Sequence, residues 1–80
     1  MNQKPVLSSP FRAEMVSELK RIRRFYEADG TSAMGFDCIF SAINWRNIPN
    51  APRGTNAVYF IRLEMRELLS MREFSGFLLE

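Results

Sequence analysis

Ser9-Pro10-Phe11-Arg12-Ala13-Glu14-Met15-Val16-Ser17-Glu18-Leu19-Lys20-Arg21-Ile22-Arg23-Arg24-Phe25-Tyr26-Glu27-Ala28 is the stretch from which the fold of this 80-residue chain is read. Ser9-Pro10 is a helix start: a serine placed to cap, then a proline at the first helical position, where its missing N–H costs nothing. Phe11, Met15, Leu19, Ile22 and Tyr26 follow at steps of four, four, three and four. At about 100° per residue these positions form one apolar stripe. Asp29-Gly30 supplies the stop, because glycine takes the left-handed conformation that ends many helices. The stretch predicts a helix over 10–28. Its opposite face carries Lys20, Arg21, Arg23 and Arg24, with Glu27 spaced to pair with Arg23 or Arg24.

Upstream, residues 1–8 hold Pro5 and no helical period, and read as a flexible arm. Downstream, Thr31 and Ser32 precede a second predicted helix over 33–47. Phe36, Ile39, Phe40 and Ile43 form its main apolar face, packed against Met15, Leu19 and Ile22, with Met34, Cys38 and Trp45 on nearly the opposite side. A helix apolar on two sides is central in its fold or covered by another chain. Residues 48–56, rich in Pro, Asn and Gly, read as a loop that is long for so small a domain. A third helix is expected over 57–73, with Ala57, Val58, Ile61, Met65, Leu68 and Leu69 on one face. A short strand over 57–61 is the alternative, since Ala57-Val58-Tyr59-Phe60-Ile61 is β-branched and aromatic in character. Gly76 then separates this helix from an apolar tail, residues 74–80. The expected architecture is a single all-α domain of three helices.

Composition closes off most chemistry. The chain has no histidine and one cysteine. Histidine is the side chain best placed to exchange protons near neutral pH, and histidine and cysteine are the usual transition-metal ligands. No metal, cofactor or catalytic residue is therefore expected, and the chain reads as a non-enzyme. Cys38 has no base to activate it and an acidic neighbour, Asp37, so it reads as a small buried apolar residue. Glu64 and Glu67, one turn apart among Arg62 and Arg66, read as a solvated face with local ion pairs. Gly30-Thr31-Ser32-Ala33-Met34-Gly35 lacks the Lys-Ser/Thr ending of a phosphate loop. The gap between the second and third helices is too long for a helix-turn-helix. The N-terminus holds no apolar stretch of signal-peptide length, no run reaches the length of a membrane span, and a lone cysteine without a glycosylation sequon fits a reducing cytosol.

What remains is contact surface. Trp45, Tyr59, Phe60, Leu63, Phe77, Leu78 and Leu79 lie off the principal stripes, and three short helices cannot hide all of them. Trp45, Tyr59, Phe77, Leu78 and Leu79, with Arg46 and Arg53 steering, are the expected partner-binding residues. The tail triplet is expected to pack across a subunit or partner interface, which makes a homo-oligomer the expected state. Lys20, Arg21, Arg23 and Arg24 form an electrostatic patch. At a net charge of +2 that patch is the basis of an alternative, a small nucleic-acid-binding protein. In size, composition and lack of catalytic equipment the chain resembles the small regulators encoded by temperate phages, among them antirepressors and inhibitors of host proteins. The resemblance is one of general character over the whole chain. Neither Arg23-Arg24-Phe25-Tyr26 nor Asn44-Trp45-Arg46-Asn47 carries over a functional residue. The resemblance implies a non-enzymatic regulator that sequesters or occludes another protein, for example a transcriptional repressor.

Overall fold

A computed structural model describes residues 9–79; the expected arm over residues 1–8 lies outside them, as does Glu80. Three α-helices, α1 (Ser9–Ala28), α2 (Phe36–Ser41) and α3 (Ala57–Leu69), are joined by loops that hold two 3₁₀ turns, Trp45–Asn47 and Arg72–Phe74. Among the described residues the only extended pairing is an isolated parallel bridge between Met34 and Leu78. The domain is all-α.

The apolar stripe of α1 does what its spacing predicts. Phe11, Met15, Leu19 and Ile22 are all buried, and Tyr26 packs against their edge. The helix ends in a Schellman motif: the Thr31 N–H donates to the Tyr26 carbonyl at 2.9 Å and the Gly30 N–H to Glu27 at 3.0 Å. Gly30 sits at φ +86°, a conformation that side chains disfavour. Residues 57–61 are helical, which settles the strand alternative. In α3, Ile61, Met65, Leu68 and Leu69 face the core; Ala57 packs at its margin, while Val58, counted with that face from the sequence, is exposed. α3 ends at Leu69, four residues earlier than expected, and the chain continues into the Arg72–Phe74 turn.

The second helix differs most from expectation. It covers Phe36–Ser41 only, not 33–47. Its start is blocked because Met34 is extended, its N–H donating to the Phe77 carbonyl and its carbonyl accepting from the Leu79 N–H. Its end is set by Asn44. In a continuing helix the Asn44 N–H would bond to the Phe40 carbonyl; here it donates to the Glu18 carboxylate at 2.8 Å. The Asn44 side chain then accepts from the Arg46 N–H and caps the 3₁₀ turn. With only six residues, α2 buries Ile39 alone, and Ile43 is buried just beyond it. Phe36 and Phe40, expected in the core, are half-buried at its margin. Cys38, expected to be buried, is exposed, because among the described residues none covers the outer side of so short a helix.

The tail also departs from expectation. Ser75 at φ −57°, ψ 129° and Gly76 at φ +83° form a type II turn, closed by the Phe77 N–H on the Phe74 carbonyl. The turn drops Phe77 into the chain's own core beside Phe74, both about 1% exposed. Leu78 is half-buried on that core, and only Leu79 faces outward. Phe77 and Leu78 are therefore core and core-margin residues of the chain itself, and the bridge to Met34 holds this segment against the fold.

Candidate functional site

The basic face of α1 is an internal seam. Arg23 donates to the Glu73 and Ser75 carbonyls at 2.8 and 3.3 Å and pairs with Glu27 at 3.1 Å. Lys20 pairs with Glu73 at 3.3 Å. Together they tie the second 3₁₀ turn to α1. Arg21 pairs with Glu18 and reaches the Ala42 carbonyl. Of the four cations assigned to the electrostatic patch, Arg24 alone makes no ion pair or hydrogen bond among the described residues.

Glu18 is the centre of a second cluster, and it is 2% exposed. Its two oxygens accept from the Arg21 guanidinium, the Asn44 N–H and the Asn47 amide at 2.6–3.0 Å. Burial alone would raise the pKa of this carboxyl. The hydrogen bonds from Arg21, Asn44 and Asn47, with the Arg21 charge, outweigh burial and hold it at about 2. The same pairing raises the pKa of Arg21. One turn earlier, Glu14 accepts from the Asn50 N–H and side-chain amide. Two carboxylates of α1 thus pin the loop after α2, and Ile48 from that loop is buried in the core. A polar cleft of about 350 Å³ opens over this cluster, lined by Glu14, Ser17, Glu18, Arg21, Arg24 and Asn47. The carboxylates and the Arg21 charge in it are already matched to protein groups, so it holds structure together. Glu64, expected on a solvated face, is likewise buried, and Arg12 of α1 forms an ion pair with it.

A second surface, aromatic and cationic, lies where α2 meets α3. Trp45 stacks edge-on against Phe40, with centroids 5.6 Å apart. Arg62 lies 4.9 Å from the Phe40 ring and 4.8 Å from Phe36, and Arg66 lies 4.1 Å from Phe36 on the same rings' row. Aromatic and guanidinium groups therefore alternate along one ridge. Beside it is a shallow depression of about 190 Å³ lined by Phe36, Tyr59, Arg62, Leu63 and Arg66. Tyr59 is 61% exposed, and Trp45 and Leu63 about 40%. Asp37, largely exposed, pairs with Arg62 at 2.7 Å.

The structure brings together two of the partner-binding residues expected from sequence, Trp45 and Tyr59, through Phe40 and Arg62. Arg46 and Arg53 are exposed, with no side-chain hydrogen bond, ion pair or ring contact to the ridge among the described residues. Phe36, Phe40, Arg62 and Arg66 were missed as site residues. Their signal was present: Tyr59, Arg62, Leu63 and Arg66 recur at steps of three, one and three, a second face on α3 beside the core stripe. Among the described residues no His, Cys, Asp and Glu group is arranged to hold a metal ion, and no helix is long and apolar enough to cross a membrane. Compared with known protein families, with curated proteins and with solved structures, the chain matches none of them.

Proposed function

We propose that this chain is a non-enzymatic regulator that binds another protein and occludes it with the α2–α3 ridge. The observation that carries this reading is the Trp45–Phe40–Arg62–Phe36–Arg66 row at the surface, half-buried at Phe36, Phe40 and Arg62, with exposed Tyr59 and Leu63 beside it. Trp, Tyr and Arg are the residues enriched in binding hot spots, and apolar surface concentrated on one face marks a contact site. A DNA-binding repressor is the favoured type of partner, in the manner of an antirepressor, because covering its surface suffices to inactivate it. The nucleic-acid alternative is weakened by the engagement of Lys20, Arg21 and Arg23 within the fold. Self-association through the tail is weakened in the same way, since Phe77 is used inside the chain.

The test compares proteins retained from the native host by the wild-type chain and by a Tyr59→Ser/Leu63→Ser variant of equal helicity. A partner retained by the first and lost by the second is the expected result. Equal retention by both sinks the ridge as the contact face. A DNA gel shift that falls steeply with salt and disappears in Arg24→Ala favours the nucleic-acid reading.

A further inference from the structure

Resting on that reading, we infer that Glu18 of α1 is a positioning residue for the contact face: it grips the 3₁₀ turn Trp45–Asn47 and so sets the Trp45 indole at the end of the ridge. The indole has little of its own to hold it. It is 43% exposed, meets the Phe40 ring edge-on at 5.6 Å, and makes no side-chain hydrogen bond among the described residues. Its placement therefore follows from the orientation of the turn that carries it. A 3₁₀ helix has three residues per turn, so residues three apart stand on the same side. Asn44 and Asn47 are three apart, joined by the Asn47 N–H on the Asn44 carbonyl at 2.9 Å. Both meet Glu18: the Asn44 N–H donates to Oε2 at 2.8 Å and the Asn47 amide to Oε1 at 2.7 Å. With one side of the turn fixed on α1, Trp45 projects from another side, where Phe40 stands.

The carboxylate is itself held before it holds the turn. Arg21 grips both of its oxygens, with Nε on Oε1 at 3.0 Å and one terminal nitrogen on Oε2 at 2.6 Å, which fixes the plane of the group. That same terminal nitrogen reaches the Ala42 carbonyl at 3.3 Å and ties the end of α2 into the clamp. Glu18 is 2% exposed, so water does not compete for these bonds. Glu14 anchors Asn50, past the turn, and serves the loop rather than the indole. A side chain placed beforehand loses less freedom when a partner covers it, so a buried residue on α1 tunes how a surface residue binds.

The chain's one tryptophan is its own reporter. Acrylamide quenching and fluorescence anisotropy of Trp45 are measured on the free chain for Asn47→Ala, Glu18→Gln and, as control, Glu14→Gln, beside far-ultraviolet circular dichroism. Full release of an indole that is 43% exposed raises its accessible surface about twofold, and the quenching constant with it. Glu18→Gln is expected to show that whole rise with a fall in anisotropy, Asn47→Ala about half of it at unchanged helical signal, and Glu14→Gln wild-type values of both. If Glu18→Gln does not fold, Asn47→Ala answers alone, because it removes a single donor at an exposed position. Wild-type quenching and anisotropy in Asn47→Ala overturn the assignment, since packing on Phe40 then suffices. An equal shift in Glu14→Gln overturns it as well, since the loop as a whole then loosens and Glu18 has no special hold on the indole. These readouts need no partner, so they succeed or fail apart from the ridge as contact face, which the Tyr59→Ser/Leu63→Ser comparison decides.

Discussion

Glu18 is where a single residue does the most to set the structure. It occupies a position on the α1 stripe itself, since 11, 15, 18 and 22 follow the same helical period as the buried apolar residues. A carboxylate on such a stripe must find donors, and this one finds four, from Arg21, Asn44 and Asn47. Its pKa near 2 lies below the ordinary 4.5. Its stabilisation is therefore full above pH 4.5 and drains away as pH falls toward 2, amounting to about 3 kcal/mol at neutral pH. Glu18→Gln is expected to lower stability by about 2–3 kcal/mol at pH 7, because the amide places donors against donors in a buried site. The difference between wild type and variant in urea unfolding should shrink progressively between pH 4.5 and 2. A difference that stays constant across that window would show that the carboxylate is not held ionised by its donors. The spacing that revealed the helix also held the clue to Glu18 and, in α3, to Glu64 among Ile61, Met65 and Leu68. What the chain alone does not display is the pair of donors from Asn44 and Asn47, 26 and 29 positions away.

Among the elements, α1 and α3 were legible because each runs long enough for its period to repeat several times. α2 was not, because its limits are imposed from outside: Met34 is taken by the tail and the Asn44 N–H by Glu18. A local apolar pattern extends through both limits, so reading it locally overextends the helix and places Phe36 and Phe40 too deep. The shortened helix makes a specific expectation. Ile39→Ala removes a side chain with no exposed surface and should cost about 2–5 kcal/mol. Phe40→Ala removes a half-buried ring and its contacts with Trp45 and Arg62, and should cost about 1–2 kcal/mol. Urea midpoints of the two variants decide it. Equal losses would mean that Phe40 is as deep as Ile39 and that the ridge is core. The ridge itself was half legible: Tyr59 and Leu63 stood out as off-stripe residues, but the arginines joined them only once α2 was laid beside α3.

At the scale of the whole molecule, the chain solves the problem of a small core with its last residues. Phe11, Phe74 and Phe77 are the largest fully buried side chains, and two of the three follow α3. The anchoring is distributed: Arg23 and Lys20 grip the 3₁₀ turn, Gly76 reverses the chain, and Met34 bonds to residues 77 and 79 on both sides of the bridge. That Gly76 would turn the chain was readable from sequence; where the turn led was not, because an apolar tail fits a partner's groove and its own core equally well until the other elements are placed. The two destinations predict opposite outcomes. Phe77→Ala should cost about 3–5 kcal/mol, and Leu79→Ser, at an exposed position, no more than about 0.5 kcal/mol. Deleting residues 77–80 removes Phe77 together with both backbone bonds to Met34, so the loss should leave little helical circular dichroism at 25 °C in a domain with only about 5–15 kcal/mol of stability to draw on. If the truncated chain stays helical, melts where the wild type does and changes only its mass in sedimentation, the tail belongs to an interface after all. If it unfolds while Leu79→Ser leaves the melting curve in place, the C-terminal segment is the part of the core that lets 80 residues fold.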